Sequence, residues 1–201
     1  MKNFFVLLLL LTLGACGSIL PKPAPPPSFY ALSSATNDTA VPVAAAASAP
    51  TLIVNPPQAA AGYDSSRIIY VRQPHQLQYF AQSEWVETPA RMLAPLLVKA
   101  LQGSGAFRAV VTSPSAAAGD LRLDTEIVRL QQNFDAAGGS TVRFTLRATL
   151  VDNATRKVRG TREFEASVAA GSDAYSGVLA ANGAVQQVLL QLTAFAAESA
   201  R

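Results

Sequence analysis

The sequence predicts an α+β fold, a two-layer domain in which a mainly antiparallel sheet carries two amphipathic helices packed on one face. Three observations predict it. Apolar and polar residues alternate at period two through three successive runs between Leu121 and Val168, the pattern of half-buried strands. Met92, Leu93, Leu96, Leu97, Ala100 and Leu101 recur at helical spacing and make one apolar face. A second stripe of Tyr175, Leu179, Asn182, Val185, Val188, Leu189, Leu192 and Phe195 closes the chain.

The first residues read as processing, not as fold. Lys2 is followed by the apolar run from Phe4 to Leu13, broken only by Thr12, and then by Gly14 and Ala15. A charged start, a short apolar stretch and small residues make a secretory signal segment over 1–15, too short to span a bilayer comfortably. Next stands Cys16, the only cysteine of the chain. On these residues alone it is a spare thiol behind a cleaved signal, a buried core cysteine, or an attachment point. Leu13-Gly14-Ala15-Cys16 resembles the lipobox of bacterial lipoproteins, which implies lipidation of the Cys16 sulfur and cleavage that leaves it first. Such proteins carry two or three acyl chains, and two or more tether a domain stably where one does not. No cofactor other than this covalent lipid is expected. With Cys16 consumed, no disulfide is available even in an oxidising compartment. Downstream of it no stretch approaches the roughly 20 apolar residues of a spanning helix.

The remaining 186 residues suffice for one domain with a proper core, placed at 29–201. The formal charge of +3 falls to +2 once Lys2 leaves, and the basic residues are scattered, so no nucleic-acid partner is expected. Charged residues make only 14 % of the chain, low enough for a partner to cover part of the surface, although much of the 50 % apolar content is alanine.

In chain order, the segment 16–28 is the acylated cysteine and a proline-rich, semi-stiff spacer (GSILPKPAPPPS after Cys16). Phe29-Tyr30-Ala31-Leu32 reads as a first strand, and the Ala/Ser/Pro-rich stretch 35–50 as a flexible loop without the apolar bulk to fix itself. Thr51–Val54 is a strand stopped by Pro56-Pro57, and Arg67–Val71 one ended by Pro74. Leu77, Tyr79, Ala81, Ser83 and Trp85 alternate with Gln76, Gln78, Phe80, Gln82 and Glu84, so the glutamines are expected outward on a half-wet sheet. Thr88 and Pro89 start the first helix as N-cap and first helical residue, Pro95 predicts a kink or a tight first turn, and Gly103 and Gly105 end it. Phe107–Thr112 is a short strand. The runs 121–127, 142–150 and 161–168, joined through Gly138-Gly139 and Asp152-Asn153, make a meander whose outer face carries acids, then arginines, then acids. That face is either a solvated sheet surface or a binding surface. The second helix runs from about Asp173 to Glu198, weakened by Gly177 and Gly183 by roughly 1 kcal/mol each relative to alanine, so packing must hold it.

Catalytic chemistry has no visible constellation. His75, the single histidine, sits beside Pro74 in a turn. Paired histidines, a cysteine pair and a G-x-S-x-G elbow are all missing from the sequence, and Gly103-Ser104-Gly105 follows a helix where a phosphate loop would precede one. Glu84 and Glu87 near Trp85 read as surface or capping charges. A binding or scaffolding protein is expected, not an enzyme.

Several stretches together resemble the ABC-type transport auxiliary lipoprotein family. They are the lipobox ending in Cys16, Phe29–Leu32 behind a proline-rich spacer, Gly62–Tyr70 (GYDSSRIIY), Gln78–Trp85 (QYFAQSEW) and Thr88–Leu97 (TPARMLAPLL). The resemblance implies an envelope lipoprotein working beside an MCE-type ABC system that moves lipids between membranes, with the ATPase, permease and MCE-domain protein as separate chains. Gly17 after the cysteine, where aspartate would retain the inner membrane, implies anchoring to the periplasmic face of the outer membrane. The expected role is docking of the transport assembly, through an exposed strand edge or through the segment holding Tyr70, Tyr79, Phe80 and Trp85. These aromatics suit an interface core or a sheet core alike. A periplasmic lipid carrier, with a pocket between helix and sheet, and a structural factor for outer-membrane assembly are the alternatives.

Overall fold

The computed structural model describes residues 25–33 and 45–200. The signal segment, Cys16, the spacer up to residue 24 and positions 34–44 lie outside the described residues. In chain order the elements are β1 (Ser28–Tyr30), β2 (Thr51–Val54), β3 (Gln58–Ala59), β4 (Arg67–Val71), β5 (Leu77–Trp85), α1 (Pro89–Gly103), β6 (Ala109–Thr112), β7 (Leu121–Phe134), β8 (Ser140–Asp152), β9 (Val158–Ala170) and α2 (Ala174–Ser199). The last residues of the 35–50 stretch form a turn closed by the Ala49 N–H on the Ala46 carbonyl.

β7 organises the sheet. Leu121, Leu123, Thr125 and Ile127 point into the core. A bulge between Ile127 and Arg129 then switches the parity, so that Leu130 and Gln132 become the inward residues. This switch carries the strand seven residues beyond where regular alternation is readable. Along one edge β7 pairs antiparallel with β8, which pairs antiparallel with β9. The outer charge ladder forms as expected: Glu126 lies opposite Arg147, and Arg147 opposite Glu163. The Arg147 guanidinium sits 2.8 Å from Glu126 and 2.5 Å from Glu163. The hydrogen bond that Arg147 donates to Glu163 is the first cause holding Arg147 still more firmly in its charged form.

Along its other edge β7 meets strands that the alternation does not predict. β2, β3 and β4 all run parallel to it, end to end, with Leu52 opposite Leu121, Gln58 opposite Glu126 and Tyr70 opposite Gln132. β2 also pairs in parallel with β6, and β1 with β5. The nine-stranded sheet is therefore mixed, not mainly antiparallel. Parallel neighbours need a long crossover, here the passage through α1 and β6, and direction across a crossover leaves no trace in local periodicity. β3 itself is two residues long and escapes any periodicity argument.

Both helices bury their apolar residues in one core with the inward face of the sheet. In α1 these are Met92, Leu93, Leu97 and Leu101, and the helix continues to Gly103 with Pro95 inside it. Thr88 occupies the N-cap position without a side-chain cap bond. The Glu87 carboxylate instead accepts the Thr88 N–H at 3.0 Å, and this bond holds Glu87 below its usual range. α2 turns differently from its expected stripe: Tyr175 and Leu179 are 58 % and 57 % exposed. The buried face at this end is Ala174, Gly177, Val178, Ala181 and Ala184. Small residues let the helix approach the sheet closely, and the larger Val185, Val188, Leu192 and Phe195 take over farther along. The 26-residue helix is long and apolar enough to cross a membrane by length and composition, against the expectation above, but half of its apolar window is buried in this core.

One close approach is at Gln132, a side chain only 2 % exposed. Its amide donates to Ser140 Oγ at 2.8 Å and to the Gly171 carbonyl at 3.0 Å, pinning the corner between β9 and α2 to the middle of the sheet. Its Oε1 faces Gly177, where an added Cβ would come within 2.2 Å. Gly177→Ala is expected to cost about 1–3 kcal/mol by overpacking. In a urea titration the cost of Gly177→Ala combined with Gln132→Ala is expected to fall below the sum of the two. An unchanged Gly177→Ala midpoint would refute this contact.

Asp173 caps α2 by accepting the Ser176 N–H at 3.0 Å, which holds its carboxyl below the usual aspartate range. The stabilisation is complete above the unfolded value of about 3.9 and is lost as pH falls through the depressed folded value. Thermal melts of Asp173→Ala are therefore expected to show a deficit at pH 7 that shrinks toward pH 2.

Candidate functional site

The first described segment is built from β1 and what grips it. Chain direction places β1 immediately after the proline-rich spacer, and it adds to the sheet edge as a parallel neighbour of β5, Tyr30 opposite Trp85. The Val86 N–H donates to the Tyr30 carbonyl at 2.8 Å. On α2, Asn182 Oδ1 accepts the Ser33 N–H at 2.6 Å, and its amide reaches the Ala31 carbonyl at 3.4 Å. The Tyr30 ring lies 6.3 Å from that of Tyr175, and Leu32 is buried beside Met92. Two helices and a strand thus hold residues 28–33 against the core. Cys16 lies outside the described residues.

The four aromatics expected at an interface do not share one surface. Tyr70 pairs with Gln132 and so lies on the helix-bearing face, where its ring stands 4.7 Å from Phe80 and 5.7 Å from Phe134. Tyr79 pairs with Ile69 on the opposite face, 40 % exposed, with the Arg67 guanidinium 4.9 Å above its ring. Trp85 is 4 % exposed and packs in the core. The reason is an irregularity in the β4–β5 pairing, where Arg67 faces Glu84 but Ile69 faces Tyr79. The extra residues in β5 reverse its inward parity, so Leu77 and Tyr79 point out while Trp85 points in. The expectation that Leu77 and Tyr79 share the inward face with Trp85 is corrected accordingly. Among the described residues no group of three or more His, Asp or Glu side chains is placed to hold a metal ion.

Sequence reasoning passed over the solvent face of α2. From Ala174 to Ala197 the helix has no charged residue, and it exposes Tyr175, Leu179 and Leu190, the last 74 % exposed. The readable signal was the lack of charge on a helix with one wet face.

The family profile described as "ABC-type transport auxiliary lipoprotein component" matches residues 30–195. No curated protein matches the chain significantly in sequence. Among solved structures, a protein of Xanthomonas campestris superposes with a TM-score of 0.73 at 22 % identity, covering 86 % of this chain and 95 % of its own. A hypothetical protein of Chlamydia trachomatis superposes with a TM-score of 0.55 at 8 % identity, covering 76 % of this chain and 98 % of its own. At these identities the likeness is one of fold.

Because Trp85 is the only tryptophan, its emission reports the core directly. Native emission is expected to be blue-shifted and shielded from acrylamide, and Trp85→Ala to destabilise by about 3–5 kcal/mol, while Tyr79→Ala leaves the urea midpoint nearly unchanged. Ready quenching of native Trp85 would contradict its placement.

Proposed function

The chain belongs to the ABC-type transport auxiliary lipoprotein family, and on that premise we propose that it is the anchored accessory of an MCE-type ABC lipid-transport system, docking the assembly at the periplasmic face of the outer membrane. The observation that carries this reading is the family match over 30–195 lying directly downstream of the lone Cys16 in its lipobox-like setting. Gly17 supports the outer membrane as the destination. The way β1 is gripped supports a mechanical role, since a tether that joins a sheet edge and is fastened to α2 holds the whole domain at a set place. The uncharged face of α2 and the Tyr79 side of β5 supply surface for an MCE-domain partner, whose contact lets lipid leave a water-excluded path next to the bilayer.

The space between α2 and the sheet argues against the carrier alternative. The apolar gap lined by Ile68, Trp85, Leu130, Val142 and Ala181 measures about 10 Å³, too small for an acyl chain and barely that of a single water.

The test is cross-linking in cells followed by purification of the lipidated protein. Capture of an MCE-domain protein, with no phospholipid retained in native mass spectra, is the expected result. A bound phospholipid without such a partner would replace docking by carriage. Cys16→Ala is expected to move the protein out of the membrane fraction while its melting temperature stays the same. Retention of that variant in the membrane would overturn the anchoring.

A further inference from the structure

Large apolar side chains left in solvent gather at one rim of the sheet. Among the described residues eight stand exposed, and four of them, Phe29, Val86, Tyr175 and Leu179, surround β1, each more than half open to solvent. β1 pairs with β5 alone and so ends the sheet on that side. Val86 follows the end of β5, its N–H on the Tyr30 carbonyl at 2.8 Å. The Tyr175 ring stands 6.3 Å from that of Tyr30. Leu179 lies one turn farther along α2, between Tyr175 and Asn182, the residue that holds Ala31 and Ser33. Residues 30–33 therefore run beside this stretch of helix. Phe29 alternates with Tyr30 and projects to the other flank of the same rim, opposite Glu84. The apolar surface is thus the rim itself with both its flanks, not one face of the sheet.

The charges about this rim are matched. α2 has no charged residue from Ala174 to Ala197. Glu84 faces Arg67 across the β4–β5 pairing, Glu87 holds Arg91 at 3.0 Å, and Asp173 is engaged by the Ser176 N–H. Apolar burial, not attraction of opposite charge, is what the rim has to offer a partner.

The chain upstream says which partner is within reach. Residues 17–27 separate β1 from Cys16, and eleven residues extended at about 3.1 Å each reach no more than about 35 Å. With Cys16 acylated, a bilayer surface always lies within that span of the rim. A contact too weak to hold a free protein then suffices, because the second attachment is intramolecular. Tyrosine and large aliphatic side chains also suit the boundary between headgroups and acyl chains.

We propose that this rim seats on the lipid bilayer that carries the anchor, fixing the orientation of the domain through β1 and the first turns of α2. This seating rests on acylation of Cys16. Leu190, about three turns beyond Leu179, is left for the MCE-domain partner.

In the acylated protein no other cysteine remains, so an introduced one takes a fluorophore at that position alone. The test labels Leu179→Cys, Val86→Cys and, on β9 at the far rim of the sheet, Val158→Cys with an environment-sensitive dye. Each protein is incorporated into phosphatidylcholine vesicles that contain a spin-labelled lipid as quencher. Quenching at positions 179 and 86 is expected to exceed that at 158 at least threefold, and to stay the same when phosphatidylglycerol is added. Tyr175→Ser combined with Leu179→Ser is expected to cut quenching at position 86 at least threefold, with flotation and melting temperature unchanged. Flotation with equal quenching at all three positions would overturn the seat and leave the anchor standing. Protein that fails to float would overturn the anchor and the seat with it. Quenching that needs phosphatidylglycerol would replace apolar seating by charge attraction. A dye at position 179 shielded from aqueous iodide yet untouched by the lipid quencher would show protein covering the rim, which also overturns the seat.

Discussion

The architecture rests on the need to satisfy both edges of β7. A 14-residue strand through the middle of a sheet exposes a row of amide and carbonyl groups on each side, and leaving them buried and unpaired would be prohibitive. One side is met locally, by the hairpin into β8. The other is met from far upstream by three short strands laid end to end. Pro56-Pro57 interrupts that second edge and the excursion through Gly62 interrupts it again, yet Asn55 and Ala60 still donate to the Leu123 and Ile127 carbonyls in the gaps. Since 51–71 must run along β7, the later passage through α1 and β6 becomes a crossover, and both helices fall into one core. The bulge after Ile127 then places Gln132 inward, where its amide fastens the start of α2.

From this arrangement the outer face acquires its division. The same pairing that sets Arg147 between two glutamates leaves Glu165 to serve two arginines, because β8 supplies Thr145 where a third acid–base match would need a charge. Charge is therefore cancelled near the middle of the ladder and left over at its end. β1 joins the sheet along the far end of β5, with Tyr30 opposite Trp85.

Much of this was readable from the chain and some of it was not, for reasons that can be assigned residue by residue. The β7–β8–β9 meander is legible because a sheet with one wet face writes its geometry into alternation. α1 is legible from Pro89 and its leucine spacing. β5 misled because one irregularity in register reverses every side chain beyond it, which moves Leu77 and Tyr79 from the expected core side to solvent while Trp85 stays in the core. The stripe of α2 misled because hydrophobic size was taken as the guide to burial. Near Gln132 the sheet comes so close that only Ala174, Gly177, Val178 and Ala181 fit beneath, and the larger Tyr175 and Leu179 are turned out.

By itself the sequence determined the family, the α+β class, the order of the major elements and the outer charge ladder. Each of these is encoded in neighbouring residues: a motif, a period, a cap. Tertiary structure alone decided that the sheet is mixed and that the expected aromatic quartet is split between two faces and the core. Strand direction and bulges depend on which backbone edges find each other. That choice is made by the whole chain satisfying its hydrogen bonds at once, and no local pattern records it.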